Sequence, residues 1–168
     1  KEGGVLPTTA QITPTRFEEY FRKNLEEGYT ILAVLMSSEM SGTYNSACIA
    51  KEMIGSDDII LVDSQVVTSA EGYLVLKACE LREQGLSAKE KKEKLEIIKP
   101  KIKASLCFES LENLVRGGRI SKTVGTIGTV LGMKIIVGFK AGKVAVMDKI
   151  RGNYGKKVIG DLVYEQAR

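Results

Sequence analysis

Two short stretches hold the groups best able to do chemistry: PTTAQITP at residues 7–14 and SSEMSGTYNSA at 37–47. The second follows an apolar run, ILAVLM, and opens a helix-like pattern. Ser41, Gly42 and Thr43 therefore stand where a chain would leave a strand and enter a helix. The first N–H groups of a helix lack intrahelical partners and carry partial positive charge. Gly42 lets a ligand come close to the backbone, and Ser41 adds a hydroxyl donor. This pattern suits an anion such as a carboxylate or phosphate. Spacing alone leaves a second reading open, in which Ser41 only caps the helix. Thr8 and Thr9 precede the cap residue Thr13 by several positions, so capping does not need them. They are either surface-loop residues or ligand groups.

The same residues exclude other chemistries. The hydroxyl cluster is not a G-x-x-x-x-G-K-[ST] phosphate loop or a G-x-S-x-G nucleophile elbow. The chain has no histidine, which removes the usual general base and the usual metal ligand. A hydrolase using Ser38 or Ser41 would need a lysine base, and no S-x-x-K spacing lies near either. Cys48, Cys79 and Cys107 are far apart among apolar neighbours, so they read as small core residues rather than a disulfide or zinc set. No metal site and no catalytic residue is expected. A purely structural or interaction module, with both hydroxyl clusters acting as caps, is the remaining alternative.

These groups need elements to position them. TPTRFEEYFRKNLEEG puts Phe17, Tyr20, Phe21 and Leu25 on one helical face, with Thr13 as N-cap, Pro14 in the first turn and Gly28 at the end. YTILAVLM lacks alternation and reads as a strand buried on both faces. A helix from Gly42 to Ile54, a strand at 59–63 and a helix closed by Gly85 follow. Asp63 and Ser64 are expected to cap that third helix. Strand–helix–strand–helix order marks right-handed crossover units on a parallel sheet. Ser87 and Glu90 then form a capping box ahead of a lysine-rich helix.

Beyond it, ASLCFES reads as a strand and LENLVRGGRIS as a short helix broken by Gly117 and Gly118. IIVGFKAGKVAVMDKI reads as two strands joined by a tight turn at 141–143. Gly125, Gly128 and Gly132 are spaced for close backbone packing, and the C-terminal stretch reads as a helix. The expected fold class is α/β with parallel-sheet crossover units in the first half, followed by a smaller α+β domain with a β-hairpin. The expected division is an α/β domain over 1–102 and an α+β domain over 103–168.

Composition agrees with a soluble globular chain: 168 residues, 43% hydrophobic, 27% charged and net charge +4. No apolar run is long enough to span a bilayer, and the N-terminus does not resemble a signal peptide, so the cytoplasm is the expected compartment. Much of the positive charge sits between Lys89 and Lys103, where glutamates interleave with lysines. Without arginine or aromatic support this reads as a solvated helix face, not a nucleic-acid surface. Arg119, exposed beside its glycine pair, is either a phosphate contact or half of a salt bridge.

PTTAQITP, SSEMSGTYNSA, VDSQVVTSAEG and LENLVRGGRISK, in that order, resemble the DegV family of bacterial fatty-acid-binding proteins. The likeness runs through nearly the whole chain. Family members are longer at both ends, so this chain is expected to be their central part, lacking an N-terminal strand region and a C-terminal region. The resemblance implies a two-domain lipid carrier with no cofactor. It holds a fatty acid by its carboxylate, with the tail in a tunnel between domains. Thr9 and Ser41 match the family's carboxylate-binding hydroxyls, with the Gly42 backbone beside them. Arg119 matches the family arginine near the head group and the docking face for a kinase partner. That kinase converts the bound acid to an acyl phosphate, and transient membrane-surface contact is expected of such a carrier. Ile12 and Ile135 stand where the family usually has proline, so loop and tunnel wall are expected to differ in shape. A histidine often found near the family's head group has no counterpart.

Overall fold

Thr13 starts the first helix: its hydroxyl accepts the Arg16 N–H at 3.3 Å, and Pro14 fills the first turn. In a computed structural model of the chain, residues 8–121, 123 and 133–151 are described. The expectations for Gly125, Gly128, Gly132 and the C-terminal helix lie outside them. Helix α1 (Pro14–Glu26) leads to strand β1 (Ile31–Leu35), helix α2 (Thr43–Ile54) and strand β2 (Ile59–Asp63). Helices α3 (Ser69–Glu83) and α4 (Ala88–Ile98) follow, the latter running into a 3₁₀ turn at Lys99–Lys101. Then come β3 (Leu106–Phe108), α5 (Glu112–Arg116), β4 (Met133–Lys140) and β5 (Lys143–Arg151).

β1 and β2 pair in parallel, Ile31 opposite Ile59 through Leu35 opposite Asp63. β3, β4 and β5 form an antiparallel sheet in that order, with a register shift between Ile136 and Val137. This is the expected mixed α/β class, with parallel crossover units first and an antiparallel hairpin after.

Period-2 alternation sorts the parallel sheet between two apolar layers. Ile31, Ala33 and Leu35 pack with Ile59 and Leu61 against Phe17, Phe21, Ala47 and Ala50 of α1 and α2. Leu32, Val34 and Val62 face Ala70, Leu74 and Leu95 of α3 and α4. Both faces are thus apolar, as the lack of alternation predicts. β1 is nevertheless only half-buried, because among the described residues it has a strand neighbour on one edge alone. A third cluster joins Leu111, Ile120, Ile135 and Val137. Phe139 and Ala104 pack against the α3–α4 cluster and so tie the second sheet to the first.

Several local expectations are corrected. Tyr20 is exposed, because the buried stripe of α1 centres on Phe17, Phe21 and Leu25 and leaves it at the margin. Its ring lies under the Arg16 guanidinium at 4.9 Å. The cysteines fit the core reading only in part: Cys48 is half-buried and packs against the α1–α2 cluster, Cys79 is half-buried, and Cys107 is exposed. Leu106 and Phe108 take the inward positions of β3, so alternation turns Cys107 outward. Asp63 and Ser64 do not cap α3. The residue preceding that helix is Thr68, without a side-chain cap bond, while Asp63 and Ser64 bond within the strand-end loops.

Candidate functional site

The carboxyl end of β1 opens into the loop Met36–Gly42, and almost every hydroxyl in it has a defined task. Buried Ser37 donates to the Gly142 carbonyl at 2.7 Å and accepts the Glu39 N–H at 3.3 Å. The Ser38 hydroxyl donates to Asp63 Oδ2 at 2.6 Å, and its N–H donates to Asp63 Oδ1 at 3.2 Å. Asp63 thereby locks together the ends of the two parallel strands, and it also accepts the Gln65 N–H at 3.0 Å. Gln65 and Thr68 both carry positive φ in the adjoining loop, so strained backbone gathers at this sheet edge.

Ser41 Oγ lies 2.9 Å from Thr43 Oγ1 and accepts the Thr43 N–H at 3.2 Å. The two hydroxyls hold two protons between them, and their mutual bond uses one. Whichever oxygen donates, one O–H remains to serve an acceptor outside the pair. Helix α2 begins at this point with Gly42 as its cap residue and no side-chain cap bond. The Thr43 N–H is already bonded to Ser41, so the donors left at this helix start are the remaining first-turn amides and the spare hydroxyl proton.

Two distant segments reach this loop. Gln11 Nε2 donates to Ser46 Oγ at 3.2 Å, which ties the Thr8–Thr13 stretch to α2. A Cβ added at Gly42 would stand 1.9 Å from Gln11 Oε1. The open space expected over Gly42 thus holds the Gln11 carboxamide. Thr9 is exposed, two residues before this anchor. From the other side, Arg119 Nε donates to the Met40 carbonyl at 3.3 Å, and its Nη1 donates to the Gly117 carbonyl. Neither bond is to a carboxylate, so the salt-bridge alternative finds no partner among the described residues. Arg119 thus places its guanidinium next to the residue preceding Ser41.

Thr43 was placed at the helix start but given no ligand role, and Gln11, Ser37 and Gly142 were not singled out by sequence reasoning. Gln11 and Thr43 sit inside the two hydroxyl motifs, and that proximity was the only signal available. Among the described residues neither Ser38 nor Ser41 is hydrogen-bonded to a basic nitrogen, as a nucleophilic serine would require. No group of three or more Asp, Glu or Cys is placed to hold a metal among the described residues. At the second position of α2, burial pushes the Tyr44 phenol up to about 12, with the neighbouring Cys48 thiol adding to the shift.

Grooves occur elsewhere. One of about 800 Å³ is lined by Ile12, Phe17, Tyr20, Phe21, Tyr29 and Ile31 at the start of β1. Smaller ones border α2 and α4 near Lys51 and Lys92. None includes Thr9, Ser41 or Arg119.

A parallel αβ unit whose strand ends converge on hydroxyls and a helix start, backed by an antiparallel hairpin, defines a mixed α/β protein. The chain belongs to the DegV family, whose model, described as "Uncharacterised protein, DegV family", matches residues 1–164. It is 50% identical over 167 residues to a DegV domain-containing protein of Clostridium acetobutylicum, a match covering 99% of this chain and 60% of that one. A solved structure described as fatty-acid binding of a DegV family protein from Thermus thermophilus superposes with TM-score 0.88 at 31% identity, covering 99% of this chain and 60% of that one. The Bacillus subtilis DegV structure, described as a fatty-acid-binding protein, gives 0.81 at 30% identity and covers 96% and 58% of the two chains. The chain therefore spans about 60% of the length of these relatives.

Proposed function

We propose that this chain binds a long-chain fatty acid by its carboxylate and presents it to a kinase partner, which forms the acyl phosphate. The supporting observation is the convergence at the start of α2. The Ser41–Thr43 pair retains one O–H donor there, the helix starts at a glycine that offers no side-chain cap of its own, and Arg119 approaches through Met40. A carboxylate is the ligand such donors favour, since charge-assisted bonds are about twice as strong as neutral ones. Thr9 is proposed as the second hydroxyl on the head group. The relatives described as fatty-acid binding support the same ligand class.

In this reading the tail lies between an α/β domain over 1–102 and an α+β domain over 103–168. The chain supplies no catalytic group and needs no cofactor, because phosphoryl transfer belongs to the partner. Among the described residues no helix is long and apolar enough to cross a membrane, and a cytoplasmic carrier with only transient membrane contact fits that role. Mass spectrometry of an organic extract of the purified protein is expected to find a long-chain fatty acid. Added fatty acid is expected to raise the melting temperature, since a ligand that binds only the folded state stabilises it. An empty extract together with an unmoved melting temperature would overturn the reading.

A further inference from the structure

We infer that Gln11 is a positioning residue for this head-group site, fixing the Thr9 segment to the first turn of α2 and so favouring an anionic lipid end over a neutral one. The inference rests on the proposed carboxylate site. It begins from the segment itself: residues 8–12 lie outside any helix or strand and are exposed. Such a stretch has no ladder bonds to hold it in register. Its side-chain link across to α2 is the Gln11 carboxamide.

That link is specific. Nε2 donates to Ser46 Oγ at 3.2 Å, and Ser46 is only 1% exposed, so the anchor is part of the buried face of α2. Oε1 lies over Gly42, where any side chain would collide with it. Ser46 in turn donates its N–H to the Gly42 carbonyl at 2.9 Å. One carboxamide therefore spans the first turn of α2 along a single face, because positions four apart are neighbours on a helix. Thr9 lies two residues from one end of this clamp, and Ser41 lies one residue from the other.

The consequence is selectivity. Several donors serve one carboxylate only if they stay aligned to a fraction of an ångström. Tail burial contributes equally to an acid and to its ester, whereas charge-assisted head-group bonds favour the acid alone. Loosening the clamp should therefore weaken the acid and spare the ester.

The test compares palmitic acid with methyl palmitate on the purified protein by displacement of a fluorescent fatty acid. Gln11 is exposed, so Gln11→Ala leaves the core in place. It is expected to weaken palmitate about tenfold, the equivalent of one well-aligned contact, with methyl palmitate unchanged. Ser46→Ala should give a similar selective loss, and the double variant no more than Gln11→Ala alone. Equal weakening of both probes, no change in either, or additive losses in the double variant would overturn the inference. Ser41→Ala separates the two levels. If it too leaves the preference for acid over ester intact, the carboxylate site itself is wrong. If it abolishes the preference while Gln11→Ala does not, only the role of Gln11 falls.

Discussion

The Ser37 hydroxyl donates to the Gly142 carbonyl at 2.7 Å, joining residues 105 positions apart. The bond places the β4–β5 hairpin tip against the loop that carries Ser41. Lys143 and Glu39 pair alongside it at 3.2 Å, but that pair is exposed and contributes little. Because Ser37 is fully buried, its bond matters more: losing the acceptor would strand a hydroxyl in the interior. The head-group loop is thus held by the second sheet as well as by the strand it follows.

Gly142 should therefore be sensitive to substitution. Its φ is +78, and an added Cβ would lie 2.7 Å from Ser37 Oγ and 3.2 Å from Glu39 Cγ. Gly142→Ala is expected to cost roughly 1–3 kcal/mol in chemical denaturation, from strained backbone and displacement of the loop. Ala141, also left-handed at φ +48, provides the contrast. Ala141→Gly should be neutral or stabilising, and comparable losses at both positions would refute the contact argument.

Ser41→Ala should divide retention from presentation. A buried methylene contributes about 0.8 kcal/mol, so a tail of roughly 14 supplies on the order of 11 kcal/mol before other costs. A hydrogen bond to a charged head group adds about 1.5–3 kcal/mol. Lipid phosphorylation by the partner should fall further than lipid retention in a paired assay. Equal losses would count against the division.

Arg119→Ala should act on the same step by another route. The guanidinium holds the Met40 and Gly117 carbonyls together, a geometry that a single ammonium reproduces poorly. Arg119→Ala and Arg119→Lys are both expected to keep bound lipid and a near-unchanged melting temperature while lowering turnover by the kinase. Full activity in Arg119→Lys would show that charge alone suffices.

Tyr44 predicts an alkaline signature. Burial holds its phenol at about 12 in the folded chain, against an ordinary value of 10.0. The unfolded chain ionises first, so the stability contributed by the neutral phenol is complete below pH 10 and is lost as pH rises toward 12. Melting temperature should fall more steeply over that window in the wild type than in Tyr44→Phe. Parallel curves would exclude Tyr44 as the source.

Local chemistry was legible in the sequence alone. The Thr13 cap, the Ser87–Glu90 capping box, the left-handed glycines at 28, 55 and 85 and the tight hairpin turn depend on neighbours within about four residues. So did the parallel order of β1 and β2, because short strands alternating with helices leave few topologies open. The fold class and the placing of Ser41 at a helix start came from this level. Tyr20 and Cys107 were misjudged because periodicity ranks faces without saying how wide the covering layer is.

Tertiary structure alone decided the site's arrangement. Gln11 against Gly42, Arg119 on Met40 and Ser37 on Gly142 join segments 31 or more residues apart, and no local pattern encodes such pairings. Asp63 looked like a helix cap until the parallel register set it opposite Leu35, three residues before the Ser38 it now fastens. A short polar side chain takes whichever donors the packed layers bring within about 3 Å, and those layers are set by burial across the whole chain.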